Sequence, residues 1–353
     1  YSQSLMLSGR LELVFRNVEE VVTRKELESI VYSGSGVGYY GTAPTGPFHI
    51  GYLVPLGKVS DLVKAGVKMK ILLADIHAYM DDRKTDWSML KVRTEYYFRC
   101  INLLLKDVAI EYCVGSDFQF QKEYFEKLYR ISALITVSRA QRAASMVTRM
   151  KEPKVSELIY PIMQAIDCDA LKVNIALGGI DQRHIYMLTR EYFPLLGLNP
   201  VTCIFTPLIP SLRGPDVKMS ASIPESNIQV YEPEESIRKK ISRAYCPMKE
   251  VKSSGLQYTN PIVAIASLAL IPMLGSLKVE RDPSKGGDIV YNDASALERD
   301  YVEGKVHPLD LKNSVANALI DFLKPVRDYF KTKHDLIIEA YPEEVKKGLV
   351  PLP

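Results

Sequence analysis

The feature that most constrains this chain is an alternation of two hydrophobic periods along residues 37 to 209. Short apolar and β-branched runs recur: "VGYYGTA" (37–43), "KMKILLADIHAY" (68–79), "AIEYCVG" (109–115), "VNIALGG" (173–179) and "VTCIFTPLI" (201–209). Between them lie stretches of helical spacing at 49–66, 86–105, 121–150, 155–171 and 181–197, with another at 11–30. Gly66 and Gly197 close two of these, as a helix stop requires. Strands that alternate with helices predict a parallel sheet wound by right-handed crossovers, because parallel neighbours cannot be joined by a tight turn. Beyond about residue 225 the alternation stops. Helical patterns dominate there, as in "EPEESIRKKISRAY" (232–245) and "HPLDLKNSVANALIDFLKPVRDYF" (307–330). The predicted fold class is α/β: a parallel-sheet domain over residues 1–225, then an all-helical domain over 226–353.

Composition narrows the function classes. The chain has 353 residues, 47% hydrophobic and 25% charged, which suits two domains with good cores. A net charge of +3 permits a nucleic acid partner without demanding one. Residues 1–222 carry 27 basic and 23 acidic side chains, and residues 223–353 carry 18 and 19. Any RNA contact in the second part must therefore be local. The five cysteines (Cys100, Cys113, Cys168, Cys203, Cys246) form no CxxC pair, which argues for a reducing compartment and against a zinc site. The longest apolar run, "IVAIASLALIPML" from Ile262, contains Pro272 and is too short to span a bilayer. No signal peptide is evident at the start, so the expectation is a soluble, cytoplasmic protein.

Four motifs bear on ligands. Gly36, Gly38 and Gly41 satisfy G-x-G-x-x-G, with Asp61 downstream, but they fall inside a strand-like run and Pro44 and Pro47 block immediate helix entry. A dinucleotide site is not expected. Gly41 and Gly46 have the spacing of a phosphate loop, yet Pro47 and Phe48 stand where it needs lysine and serine or threonine. The helix expected to open near His49 offers backbone N–H groups to an anion, with His49 as a further donor and Gly51 leaving room for a flat base. Far downstream, "GPDVKMSAS" (214–222) places Lys218 on a small-residue loop after the last strand. Sheet topology brings such loops to one edge, so Lys218 can supply the missing cation. In "YPIMQAID", Tyr160, Gln164 and Asp167 stand at i, i+4 and i+7 and share one helix face, flanked by apolar Ile159, Ile162, Met163 and Ile166. A polar stripe set among core residues needs partners, which points to a ligand pocket.

"HIGY" (49–52) and "KMSAS" (218–222) resemble HIGH and KMSKS, the two signatures of class I aminoacyl-tRNA synthetases. "YYGTAPTGPFHIGYLVPL", "ILLADIHAYMDD", "LIYPIMQAIDCDALKV", "GGIDQRHIYMLTREY" and "HPLDLKNSV" are similar, in order and spacing, to the tyrosyl-tRNA synthetases of archaeal and eukaryotic type. The likeness runs from about residue 10 to 342. It implies a Rossmann-like catalytic domain, a helical anticodon-binding domain and a homodimer, with a dimer or acceptor-stem insertion at about 118–155. It further implies that Tyr39 and Asp167 read the substrate phenol hydroxyl. Tyr160, Gln164 and Gln182 would bind the amino end of tyrosine, with Asp75 assisting at the α-ammonium. A site built to bond a hydroxyl rejects phenylalanine because its buried polar groups lose their partner, an effect for which tyrosyl-tRNA synthetases are the standard illustration.

The same resemblance assigns Thr45, His49, Gly51, Lys218, Met219 and Ser220 to ATP, with His49, Gly51 and Lys218 catalytic. Arg183, His307 and Asp310 fall to tRNA(Tyr), Asp310 at the position that reads the first anticodon base. The reaction implied is activation of tyrosine by ATP to tyrosyl-adenylate, then transfer to the terminal adenosine of tRNA. Mg²⁺ would travel with the ATP phosphates and water, without a protein metal cage. Three residues depart from the pattern: Tyr52 ends HIGH, Ala221 replaces the second lysine of KMSKS, and Lys285 stands where relatives place an anticodon-stacking aromatic. The acid-free stretch 130–151, with Arg130, Arg139, Arg142, Arg149 and Lys151, is an expected acceptor-stem or dimer surface. The alternatives are a tryptophanyl-tRNA synthetase and a non-catalytic RNA-binding paralogue.

Overall fold

The computed structural model describes residues 2–146 and 151–353; Arg149 lies outside the described residues. The chain divides into two compact units. The first comprises Tyr1–Thr45, Val59–Phe98 and Asp107–Thr206, and the second Gly46–Lys58, Arg99–Lys106 and Pro207–Pro353.

The first unit is built on six strands: β1 (Glu20–Val22), β2 (Val37–Thr42), β3 (Lys68–Leu73), β4 (Ile110–Val114), β5 (Ile175–Gly179) and β6 (Thr202–Thr206). Their order is β1-β6-β5-β2-β3-β4. All neighbours from β6 to β4 are parallel, and β1 closes the edge antiparallel to β6, Val21 facing Ile204. β6 is buried along its whole length and β5 nearly so, as expected of strands covered on both faces. The order of strands reverses between β2 and β5. At such a switch point the loops beyond the strand C-termini part and leave a crevice for a ligand.

The helices that alternate with these strands along the chain are α1 (Ser2–Phe15), α2 (Arg24–Ser33), α3 (Leu53–Lys64), α4 (Asp75–Met80), α5 (Leu90–Leu104), α6 (Lys122–Ser132), α7 (Val137–Ala144), α8 (Val155–Ala170) and α9 (Arg183–Tyr192). The single helix expected over 11–30 is instead α1, β1 and α2. Three residues are too few to show a period of two, and β1 exists because β6 offers it a ladder. The stretch 121–150 likewise contains two described helices, because Thr136 caps α7 by accepting the Arg139 N–H at 3.2 Å. Gly36, Gly38 and Gly41 lie before or within β2, and Asp61 is buried in a two-point ion pair with Arg16 at 2.6 and 2.8 Å. That removes both parts of the dinucleotide motif.

In the second unit α10 (Glu234–Arg243) packs on α14 (Pro308–Thr332), with α11 (Pro261–Ile265), α12 (Ile271–Leu274), α13 (Ala294–Glu303), α15 (His334–Ala340) and α16 (Pro342–Lys346) completing it. The apolar run from Ile262 is core: Asn260 Oδ1 accepts the N–H groups of Ile262 and Val263, and a π-helical turn joins α11 to α12. No described helix is long and apolar enough to cross a membrane. Helices alone do not describe this region. A hairpin, β7 (Pro210–Ser211) with β8 (Gly214–Lys218), opens it, and β9 (Leu277–Val279) pairs antiparallel with β10 (Ile289–Tyr291). Strands of two or three residues, as β7, β9 and β10 are, leave no readable alternation.

Candidate active site

In the first unit, β2 and helices α4, α6, α8 and α9 converge on a buried polar cluster. Asp167, on the inner face of α8, is 1% exposed. Its Oδ1 accepts from Tyr124 OH at 2.7 Å and from Gln119 Nε2 at 3.0 Å. Its Oδ2 is buried without a hydrogen-bond partner and lies 3.8 Å from His77 Nε2. Burial pushes the Asp167 carboxyl up to about 7, against smaller downward pulls from Gln119 and Tyr124. Burial pushes the His77 imidazole down to about 4, against a smaller upward pull from the Tyr160 backbone. Tyr39, on β2, donates to Tyr186 OH at 2.9 Å, and their rings meet edge to face. Gln164 donates to Gln182 Oε1 at 2.9 Å, and the Tyr160 ring stands edge-on to His77. The helix-face reading of Tyr160, Gln164 and Asp167 thus matches the structure. Asp75 Oδ1 accepts the N–H groups of Ile76 at 3.0 Å and Ser116 at 2.9 Å, so half of that carboxylate holds a loop in place.

In the second unit the two glycine- and serine-rich motifs meet. Ile50 N donates to Ile228 O at 2.9 Å and Val230 N to Phe48 O at 3.2 Å, which pins residues 48–50 beside 228–230 as an antiparallel bridge. The open amide groups expected ahead of α3 are not there. Gly51 N–H donates to His49 Nδ1 at 3.1 Å and Tyr52 N–H to His49 O at 3.1 Å, because the chain enters α3 through a 3₁₀ turn capped by His49. With Nδ1 accepting, the imidazole hydrogen sits on Nε2. Burial and then the Lys218 charge push His49 down to about 4, so the ring is neutral. Gly51 is required by that fold-back, since a Cβ there would stand 2.7 Å from His49 Cε1. Gly46 is required by the other motif, since its Cβ would stand 2.6 Å from the Cβ of Ala221.

Lys218, the last residue of β8, is exposed, whereas Met219 behind it is buried. Ser220 is fixed by its main chain: Ser226 Oγ donates to its carbonyl at 3.0 Å and Asn227 Nδ2 at 2.6 Å. Thr45 belongs to the first unit, where its carbonyl accepts from Arg93 at 3.4 Å.

The profile of the class I tRNA synthetases (W and Y) matches residues 36–324. The tyrosine–tRNA ligase of Haloarcula marismortui is 40% identical over 343 residues, covering 95% of this chain and 97% of the relative. The chain belongs to the tyrosyl-tRNA synthetase family. The tyrosyl-tRNA synthetase of Archaeoglobus fulgidus, solved in complex with L-tyrosine, has a TM-score of 0.85 at 37% identity, covering 91% of this chain and 99% of that one. The cytoplasmic tyrosine–tRNA ligase of Danio rerio is 35% identical over 352 residues, and this chain spans 65% of its length.

Several of the positions ascribed to RNA in the tyrosyl-tRNA synthetase pattern are engaged within the chain. Arg183 forms a two-point ion pair with Glu20 at 2.7 and 3.0 Å. Arg139 is buried, its guanidinium held by Glu191 at 2.7 and 2.9 Å and by the His184 carbonyl at 3.1 Å, so it is a brace between α7 and α9 and not part of an open basic surface. Arg142 is exposed at the end of α7. His307 caps α14 by accepting the Leu309 N–H at 3.1 Å. Asp310 lies in the first turn of that helix, half-buried. Lys285 is exposed on a 3₁₀ turn that Asp282 caps and Gly286 ends at a φ of 98°. His77 and Tyr186 fall inside two of the quoted motifs without being singled out there, and Gln119 and Tyr124 lie outside all of them. They come from four separate elements, and no local spacing links them to Asp167 or Tyr39. Among the described residues no three His, Cys, Asp or Glu side chains gather as a metal site would need.

Proposed function

We propose that this chain is a tyrosine–tRNA ligase that activates tyrosine with ATP, releases pyrophosphate, and passes the tyrosyl group to the terminal adenosine of tRNA(Tyr). The observation that carries this reading is Asp167: a fully buried carboxylate, braced through one oxygen, with the other left for a substrate hydroxyl. Tyr39 closes the same end of the pocket, and the joined amides of Gln164 and Gln182, with Tyr160, suit the amino group. Asp75 supports that end through its loop. Activation asks the protein for positioning and for charge stabilisation as pyrophosphate leaves, not for a covalent intermediate. Lys218 supplies the charge. The neutral His49 offers its Nε2–H to a phosphate oxygen, Gly51 leaves room for its ring, and Thr45, Met219 and Ser220 complete the nucleotide contacts. Mg²⁺ accompanies the ATP phosphates.

For the second step, Arg183 faces the first base pair of the acceptor stem, and residues 226–353 bind the anticodon through Asp310 and His307. The catalytic domain is residues 1–225. Phe120, Tyr129, Leu134, Val137, Met146 and Val155 all expose apolar side chains within the 118–155 insertion, which supports a homodimer through that insertion. The unpaired cysteines support a cytoplasmic location. The test is pyrophosphate exchange into ATP with each amino acid in turn. Exchange that depends on tyrosine is expected; exchange driven by tryptophan, or none at all, would overturn the reading.

A further inference from the structure

The chain leaving β8 turns back just past Lys218, and one buried amide in the second unit holds that turn. Asn227 is 0% exposed, and its Nδ2 donates to Ser220 O at 2.6 Å and to Ile223 O at 3.1 Å. The orientation of the amide is fixed, because only an N–H can face two carbonyls. Its Oδ1 is buried without a hydrogen-bond partner, so the side chain is kept there for what its nitrogen holds. Ser226 stands beside it, with Oγ 2.7 Å from Ile223 O and 3.0 Å from Ser220 O. A hydroxyl has one hydrogen and serves one of these at a time, whereas the amide has two and holds both ends of the turn together. The Ile223 N–H also reaches Ser220 O at 3.3 Å, which leaves the Asn227 amide as the shortest contact on that carbonyl.

Asn227 is itself anchored through its main chain. Its carbonyl accepts from Lys240 Nζ at 3.0 Å. Lys240, on α10, is ion-paired with Glu232, whose fully buried carboxylate also takes the Gln229 N–H at 3.0 Å and the Ser236 hydroxyl at 2.6 Å. Gln229 is the residue that faces His49 in the antiparallel bridge, so the turn and the HIGY motif are tied to one segment. Met219 is the single residue between Lys218 and the pinned Ser220; it is buried and donates its N–H to Ile209 O at 3.2 Å. The backbone that carries Lys218 is therefore held within two residues on its C-terminal side. We infer that Asn227 is a positioning residue for tyrosine activation: its amide closes the turn over 220–223 and so holds the Lys218 ammonium where the departing phosphates need it. The inference rests on the role given to Lys218 above. The amide is spent on the chain's own carbonyls, so its effect on the reaction must pass through Lys218. Such positioning is worth a large factor, since a displacement of about 1 Å costs on the order of 10²-fold in rate.

The experiment is a double-mutant cycle on tyrosine-dependent pyrophosphate exchange, with Asn227→Leu and Lys218→Ala made singly and together. Asn227→Leu keeps the branched shape and removes both N–H donors. Alone it should slow exchange at saturating ATP by about 10- to 100-fold, while tyrosine affinity measured without ATP stays within about a factor of two. In the Lys218→Ala background it should change exchange by no more than about twofold, because residues that act through one another are not additive. Equal losses in both backgrounds would show that the amide acts independently of Lys218, and no loss in either would show that Ser226 and the Ile223 N–H suffice; each overturns the proposal. If Asn227→Leu does not fold, Asn227→Ala, which admits water to the two carbonyls, is judged by the same criteria. Loss of tyrosine binding by the alanine variant as well would show that Asn227 holds the fold and not the turn, which also overturns it. Exchange that survives Lys218→Ala sinks the role of Lys218 itself; exchange that fails with Lys218→Ala but survives loss of the amide sinks only the role of Asn227.

Discussion

The buried cluster around Asp167 and the exposed end of β8 at Lys218 handle charge in opposite ways. Asp167 is out of water, held by Tyr124 and Gln119, with its carboxyl pushed toward neutrality. Lys218 is exposed at the end of β8, and the main chain after it is pinned by Ser226 and Asn227. The difference suits the roles proposed for the two groups. Discrimination between two amino acids that differ by a hydroxyl needs a desolvated partner, because a missing hydrogen bond is cheap wherever water can replace it. Stabilising a leaving pyrophosphate needs a cation that reaches the phosphates as their charge develops, and a lysine at the end of an exposed strand can do this without being buried.

The widest separation between the two regions should appear in Lys218→Ala. Tyrosine-dependent pyrophosphate exchange should fall by about 10²–10³, the loss typical of one electrostatic donor to a transition state. Tyrosine affinity, measured without ATP, should not move. A variant that lost tyrosine binding but kept its activation rate would reverse the roles assigned to the two regions.

Asp310→Ala should come next, through the tRNA step alone. Residues 223–353 carry 18 basic and 19 acidic side chains, so a general basic field cannot hold RNA there and individual base contacts must. Loss of a carboxylate that accepts from a base edge costs about 1–3 kcal/mol, or roughly 5- to 150-fold in the KM for tRNA. Exchange should be unaffected. Asp310 also sits in the first turn of α14, where a carboxylate favours the helix by about 0.3–1 kcal/mol. The melting temperature should therefore drop slightly, and Asp310→Asn should keep more of the stability than of the RNA affinity. Equal damage to exchange and to charging would make Asp310 a helix-stabilising residue only.

The buried region also makes a pH prediction. With the Asp167 carboxyl at about 7, lowering the pH protonates the oxygen that should accept the phenol hydrogen. Tyrosine affinity should therefore be full above pH 7 and fall below it, by up to about tenfold per pH unit. Phenylalanine affinity should stay flat, since it does not use the carboxylate. His77, Tyr124 and Gln119 face Asp167, and the histidine stays neutral down to about pH 4, so it adds no step of its own in this window. Calorimetric titration of both amino acids from pH 5.5 to 8 measures it. Equal pH dependence for the two would mean that the carboxylate does not touch the hydroxyl.

The two regions also differ in how much of them is legible in the sequence. Tyr160, Gln164 and Asp167 lie on one helix, and their spacing alone puts them on a shared face. β5 and β6 are the most readable strands for a similar reason, since they bury continuous runs of four and five residues. Gly46 and Gly51 are legible as glycines in a turn, but their reasons are not. Each makes room for a side chain that tertiary structure brings back, Ala221 in one case and the ring of His49 in the other. The fate of the amide groups before α3 is hidden, because whether a 3₁₀ turn consumes them depends on the histidine rotamer. β1 and the β9–β10 hairpin are too short to show a period, and the braces on Asp167 arrive from elements more than 40 residues away.

The smallest predicted effect concerns Glu20, and it asks whether the contrast between buried selection and exposed charge extends to RNA. Arg183 and Glu20 are both about one-third exposed, so their pair contributes only about 0–1 kcal/mol to stability despite its two-point geometry. If Arg183 faces the acceptor stem, RNA must compete with Glu20 for the guanidinium, and the carboxylate also repels nearby phosphates. Glu20→Gln should thus lower the KM for tRNA by a few-fold, with the largest gain at low salt, where charge is least screened. Exchange should be unchanged and the melting temperature should shift by only a few degrees. A KM that rises instead would mean that Glu20 orients Arg183 for its contact, as Tyr124 and Gln119 orient Asp167. No change in KM at any salt concentration would remove Arg183 from the RNA interface and leave the pair as a tie between β1 and α9.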